Sequence, residues 1–180
     1  MPISELSLRP IAEDDLAFLA ALYATTRDAE MNELDWDDAQ KADFLALQFR
    51  MQHQYYQLHY KDACFDLVLL GEKPIGRLYH QWGGREVRVM DIALLPEYRN
   101  QGWGSMLIEA LLALADRHSL DVSLHAEYYN PVLSLYTRLG FVETGENGVY
   151  RKLARPAAPA PVTPSHSPLF AQLPHALVGA

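Results

Sequence analysis

Arg99-Asn100-Gln101-Gly102-Trp103-Gly104-Ser105 is the stretch of this 180-residue chain whose residue types and spacing best suit chemistry. An apolar segment from Val87 to Leu94 runs up to it. After it Met106, Leu107, Ala110, Leu111 and Leu114 recur at three- and four-residue steps, the pattern of one buried helical stripe. The spacing predicts strand, tight loop and helix, with Gly102 and Gly104 in the helix's first turn. N–H groups at a helix start have no intrahelical partner and carry partial positive charge, so they attract an anion. Glycines there let a ligand reach the backbone, and Arg99 can bind one anionic oxygen or fork across two. The chemistry expected is a cradle for a diphosphate. The same glycines would also serve close helix packing or a bent helix entry. No Gly stands at 107 to complete a dinucleotide fingerprint, and no Lys-Ser/Thr follows to make a P-loop.

What remains, Arg-x-x-Gly-x-Gly, resembles motif A of the GNAT N-acetyltransferases, whose loop grips the pyrophosphate of acetyl-coenzyme A. A second stretch, Asn130-Pro131-Val132-Leu133-Ser134-Leu135-Tyr136-Thr137-Arg138-Leu139-Gly140-Phe141, resembles motif B, Asn-x-x-x-x-x-Tyr-x-x-x-Gly-Phe. The two lie in the family's order and at a typical separation. The resemblance covers residues 3 to 153 and is most specific over 87 to 153.

The resemblance implies the GNAT fold: α/β (α+β), with a central, mixed but mostly antiparallel twisted sheet of six to seven strands flanked by about four helices. It also implies an N-acetyltransferase with acetyl-coenzyme A as cosubstrate and no metal. The acetyl group would pass to a primary amine of a small molecule, peptide or protein by direct attack in a ternary complex. Arg99, Asn100, Gln101, Gly102, Trp103, Gly104 and Ser105 would hold the pyrophosphate. Ile92, Ala93 and Leu94 would lend backbone groups to the pantetheine arm in the manner of an added strand, and Asn130 would hold the arm, with helix capping as its other explanation. Tyr136 would be the general acid toward the coenzyme A sulfur, since a phenol with pKa about 10 is protonated at working pH. Asp91 is the candidate base, with Glu127 and His125 as competitors. Asp91 and Ala93 share one face of their strand and Ile92 takes the other, and alternation alone does not say which face meets the acceptor. Glu30, Glu33 and Trp36, in the acid-rich run from Asp28 to Asp38, would border the acceptor site; helix capping and a solvated loop explain the same acids. Two other readings stand beside the enzyme: an acyl-coenzyme A sensor without turnover, with its proline-rich tail serving a partner, and a generic nucleotide-binding domain.

These residues need elements to hold them. At 180 residues and 49% hydrophobic, the chain has enough apolar mass for one domain with a core. A net charge of −8 argues against nucleic acid and anionic membranes as partners and suits a cationic substrate. Cys64 is the only cysteine, so neither an internal disulfide nor a paired-cysteine metal site is available. The N-terminus lacks a basic head followed by an apolar core, and no run of about eighteen apolar residues occurs. A cytoplasmic protein is expected.

In chain order the patterns predict a strand over 3–11, a helix from Glu13 with Leu16, Leu19, Ala20 and Tyr23 inward, and then a long helix. On the long helix Phe44, Leu47, Met51, Tyr55 and Leu58 form the apolar stripe expected to be buried. A hairpin of 63–70 with 75–82 and a strand over 85–94 precede the loop. A strand over 120–126 parallel to 85–94, a helix capped by Asn130 and ended by Gly140, and a closing hairpin follow it. His53, His59 and His80 have no metal-binding spacing and are expected at or near the surface. Residues 1–154 are expected to form the acetyltransferase domain. The tail, 155–180, holds six of the eleven prolines and no acid, which predicts extended chain, although Leu169, Phe170, Leu173, Leu177 and Val178 could dock. Related proteins often pair through their C-terminal strands, which makes a homodimer an expectation.

Overall fold

A computed structural model describes residues 5–127, 130, 132–159 and 168–170. Seven strands form one sheet in the order β1-β2-β3-β4-β5-β7-β6. They are β1 Leu6–Pro10, β2 Cys64–Leu70, β3 Lys73–Trp82, β4 Glu86–Leu94, β5 Asp121–Glu127, β6 Val142–Asn147 and β7 Tyr150–Arg155. Every neighbouring pair is antiparallel except β4 and β5, which α4 (Trp103–Arg117) joins by a crossover. The sheet matches the expected architecture. The described residues hold five α-helices rather than about four: α1 Leu16–Thr26, α2 Asp28–Asn32, α3 Asp38–His59, α4, and α5 Leu133–Arg138. The additional one is α2, made from the acid-rich run, and Asp37 and Gln40 then cap α3 reciprocally through side chain and backbone. No helix among the described residues is long and apolar enough to cross a membrane.

Alternation along the strands sorts residues between two cores. Leu67 faces Leu19 and Tyr23 of α1 and Phe49 of α3, whereas Val68, Leu78, Val87, Val122 and Leu124 pack with Leu107, Leu111 and Ala115 of α4. Asp91 pairs with Tyr79 and Ala93 with Arg77 across β3/β4, on the face covered by α1 and α3. Ile92, opposite Leu78, joins Leu94 on the α4 face. Met90 is the extra residue of a bulge, because Tyr79 pairs with Asp91 but His80 with Val89. A bulge adds local twist. Pairing of β4 with β5 accordingly ends at Val89 and Leu124, and the rest of β5 continues only against β7. The two central strands separate beside Asp91.

Three expectations need correction or completion. On α3 the stripe predicted to be buried faces outward: Leu47, Met51, Tyr55 and Leu58 are 50%, 58%, 53% and 64% exposed. The helix has a second apolar side, Leu45, Phe49 and Tyr56, and that side faces the sheet, with Phe49 tilted against Tyr23 and Tyr56 against Phe65 and Tyr79. Periodicity identifies a stripe but does not choose between two. His80, expected near the surface, is 2% exposed, since Trp82 Nε1–H donates to its Nδ1 and its Nε2–H donates to Asp66, both at 2.7 Å. In the tail, Leu169 and Phe170 are buried against β1 and α4, with Phe170 edge-on to His80 at 5.8 Å. Leu173, Leu177 and Val178 lie outside the described residues, as does Pro131.

Candidate active site

The loop into α4 is built by two left-handed residues, Asn100 at φ 59° and Gly102 at φ 89°. The second conformation suits glycine because a Cβ would crowd the following carbonyl. The first intrahelical bond of α4 is Met106 N–H to Gly102 C=O at 3.0 Å, which leaves the N–H groups of Trp103, Gly104 and Ser105 without intrahelical partners. Trp103 is 2% exposed and pins this turn into the core. A side chain at 104 would meet only Leu94 Cδ1 at 3.9 Å, and one at 102 nothing within 4 Å. Close packing inside the chain therefore does not account for Gly104, and space is left beside it. Arg99 ties the loop down: its Nε donates to Leu94 C=O at 2.9 Å and its Nη2 to Thr25 Oγ1 of α1 at 3.1 Å. Gln101 donates to Glu97 C=O at 2.6 Å.

From this loop the edge of β4 turned away from β3, at Ile92, Ala93 and Leu94, has no strand partner among the described residues. The register turns the main-chain groups of Ile92 and the N–H of Leu94 to this open side, where they can pair with an extended, amide-bearing ligand, whereas Ala93 C=O faces Gly76 of β3 and Leu94 C=O accepts from Arg99. Close backbone approach holds the other edge. A Cβ on Gly76 would lie 2.3 Å from Ala93 C=O, so only glycine fits there.

At the separated end of β4, Asp91 forms an ion pair with Arg77, a side chain 3% exposed that also donates to Gln52 of α3 at 3.1 Å. Arg77 lies 4.8 Å from the Tyr79 ring centroid, and its Nε and Nη1 and the Tyr79 hydroxyl make no hydrogen bond. Burial, and next the negative charge of Asp91, push the Tyr136 phenol up to about 12; the same two causes bring Tyr56 to about 12. The Tyr136 ring sits edge-on to Phe141 at 5.6 Å. Burial first, then the nearby Arg77, lower the pKa of His53 on α3. Burial, Arg88 and Lys152 lower that of His125, on an exposed part of β5.

The structure thus brings Asp91 within electrostatic reach of Tyr136, while residues 99–105 lie together in the loop and the first turn of α4. Asn130 Oδ1 accepts the Val132 N–H at 3.0 Å in a turn ahead of α5, whose N-cap is Val132, so Asn130 is not the helix cap that the spacing predicted. Glu127 meets Arg27 at 3.6 Å, and Arg27 holds Glu30 at 2.9 Å, so Glu30 is linked to the end of β5 through one guanidinium. Glu33 is exposed at the end of α2, and Trp36 rests edge-on against Phe44 at 5.3 Å, on the outward side of α3. A groove of about 440 Å³ between α1, α2 and α3 takes Asp28 and Asp38 into its lining, not Glu30, Glu33 or Trp36. Sequence reasoning missed Arg77, Gln52, Tyr56 and Tyr79. One signal existed, a charged residue inside the apolar run Ile75-Gly76-Arg77-Leu78-Tyr79, but the register that sets it against Asp91 did not. Among the described residues no group of acids, histidines and cysteines is arranged to hold a metal.

Comparison with known proteins agrees in fold. The profile of the acetyltransferase (GNAT) family matches residues 28–141. The structure is similar to PaiA N-acetyltransferase from Thermoplasma acidophilum in complex with coenzyme A (16% identity, 84% of this chain and 98% of that one, TM-score 0.62). It is also similar to an acetyltransferase from Thermus thermophilus (16%, 87% and 99%, 0.63). A third similar structure is spermidine N-acetyltransferase from Vibrio cholerae in complex with coenzyme A and spermine (21%, 86% and 96%, 0.59). No curated protein matches the sequence.

Proposed function

The chain belongs to the acetyltransferase (GNAT) family, and on that premise we propose that it is an acetyl-coenzyme A-dependent N-acetyltransferase acting on a primary amine by direct attack. One observation carries the reading: the start of α4 offers unpartnered N–H groups beside a Gly104 that no internal contact requires, and the open edge of β4 leads from there to Asp91. In this reading residues 99–105 receive the diphosphate, Ile92 and Leu94 pair with the pantetheine amides, and Asn130 flanks the arm.

Holding amine and thioester together supplies much of the rate by itself. The amine nitrogen forms a bond to the thioester carbonyl and loses its proton to Asp91, directly or through a water molecule. The tetrahedral intermediate then collapses, the C–S bond breaks and Tyr136 O–H donates its proton to the thiolate. A phenol with a pKa near 12 is protonated throughout the working range, and the phenolate formed regains a proton from water. Arg77 holds the Asp91 carboxylate in position. Glu127 and His125 stay in competition for the role of proton acceptor.

The acceptor we favour is cationic. The net charge of −8 and the acids Asp28, Glu30, Glu33 and Asp38 beside α1 support it, and the Vibrio cholerae relative is named for spermidine. Thiol release with a panel of polyamines, aminoglycoside-like amines and basic peptides tests the proposal. Acetyl-coenzyme A binding by calorimetry with no thiol release from any amine would replace the enzyme with the acyl-coenzyme A sensor.

A further inference from the structure

The outward stripe of α3 is an apolar surface that no other described element covers. Phe44, Leu47, Met51, Tyr55 and Leu58 fall within one sector of the helix, at about 100° per residue. Trp36, 40% exposed, lengthens it by packing on Phe44. The sheet has already taken the opposite side of the helix through Phe49 and Tyr56, so this second side is not spare core of the same domain.

Its spacing identifies an occupant. Counted from Met51, Leu47 and Tyr55 lie four residues away on either side, and Phe44 and Leu58 seven. The stripe is a palindrome in position, which is what a two-fold axis across a helix requires. We propose that this face binds a second copy of the chain, α3 against α3, antiparallel about an axis through Met51. Met51 then meets its own copy, Leu47 meets the partner's Tyr55, and Phe44 meets the partner's Leu58. Charge agrees with that direction. The first turns carry Asp37, Asp38 and Asp43 with one base, Lys41, and the far end carries His59 and Lys61 with one acid, Asp62. Antiparallel pairing sets the acidic end against the near-neutral one rather than against a second acidic end, and opposes the two helix dipoles. A 22-residue helix is about 33 Å long. One helix pair of that length buries less than the roughly 800 Å² per partner of a standard interface, which places the dimer among small interfaces.

Sedimentation velocity on the full chain from low micromolar to several hundred micromolar tests it. A monomer–dimer equilibrium is expected. M51E, which sets two carboxylates face to face at the axis, should raise the dimer Kd by about tenfold or more. It should leave the far-ultraviolet circular dichroism as in the parent, because position 51 is exposed. L47E and Y55K should each weaken the dimer, and the double variant should recover it, since each Glu then meets a partner's Lys. A monomer at every concentration overturns the proposal, and so does a double variant no better than its singles. A dimer that ignores M51E but dissociates in V142K also overturns it. That result would place pairing at the β6 edge, where Val142 is exposed.

Discussion

Burial and Asp91 both oppose ionisation of Tyr136, which keeps its phenol protonated at working pH. Replacing it by Phe removes the proton donor and keeps the ring against Phe141. Tyr136→Phe should lower kcat by roughly a hundredfold, within the usual range for a lost general acid, and change the acetyl-coenzyme A KM little. Steady-state thiol release measures both, and unchanged turnover would take Tyr136 out of the mechanism. Asp91 and Arg77 need a different test, because each is the other's counter-charge in a largely buried site. Arg77→Met should cost about 3 kcal/mol of stability by leaving a partly buried carboxylate unpaired. Asp91→Asn should also lower the melting temperature, by stranding the Arg77 cation. The base role separates from the structural one in the pH–rate profile at a temperature where both proteins are folded. A slope lost in Asp91→Asn supports proton transfer, and a slope retained at reduced stability leaves Asp91 as the anchor of Arg77.

Strand β4 and the entry to α4 work as elements, through shape as much as through side chains. Gly102 needs φ near 89°, so Gly102→Ala should cost about 1 kcal/mol by strain alone and should also weaken coenzyme A binding, because the anion-facing turn is re-aimed. Gly104 has no such backbone demand. Gly104→Val should leave the melting temperature near the parent's while raising the acetyl-coenzyme A Kd several-fold in calorimetry. Equal affinity in Gly104→Val would mean that the diphosphate does not come close to the backbone there. Much of this level is visible in the residues: Val87 to Leu114 announces strand, loop and helix, and Gly140 marks the end of α5, although that helix starts after Val132 rather than at a cap on Asn130. The bulge at Met90 is not visible, because it arises from how β4 fits β3 and separates from β5. The short α2 was hidden for another reason: five residues are too few for a periodic stripe, and only contact with its neighbours makes them helical.

Over the whole molecule, protonation ties the site to stability. Tyr56 and Tyr136 have folded-state pKa values of about 12, against 10 for the free side chain. Between those values the unfolded chain has lost protons that the folded chain keeps. Stability is therefore complete below about pH 10 and falls as pH rises toward 12. Melting temperatures taken from pH 8 to 11.5 should decline over the upper part of that range, and Tyr136→Phe should decline less steeply than the parent. His53 acts in the opposite sense, since its lowered pKa favours the neutral ring in the fold. Its contribution is present above about pH 6.5 and is lost on acidification. The sequence by itself determined the family, the strand, loop and helix around residues 99–105 and the order of the strands, because each of these is written in local spacing that short-range geometry turns into structure. Only the tertiary structure decided which face of β4 carries Asp91, that Arg77 stands against it, and which of two apolar sides α3 turns inward. Each of those depends on strand register and on packing between residues far apart in the chain, and no local pattern encodes such distances.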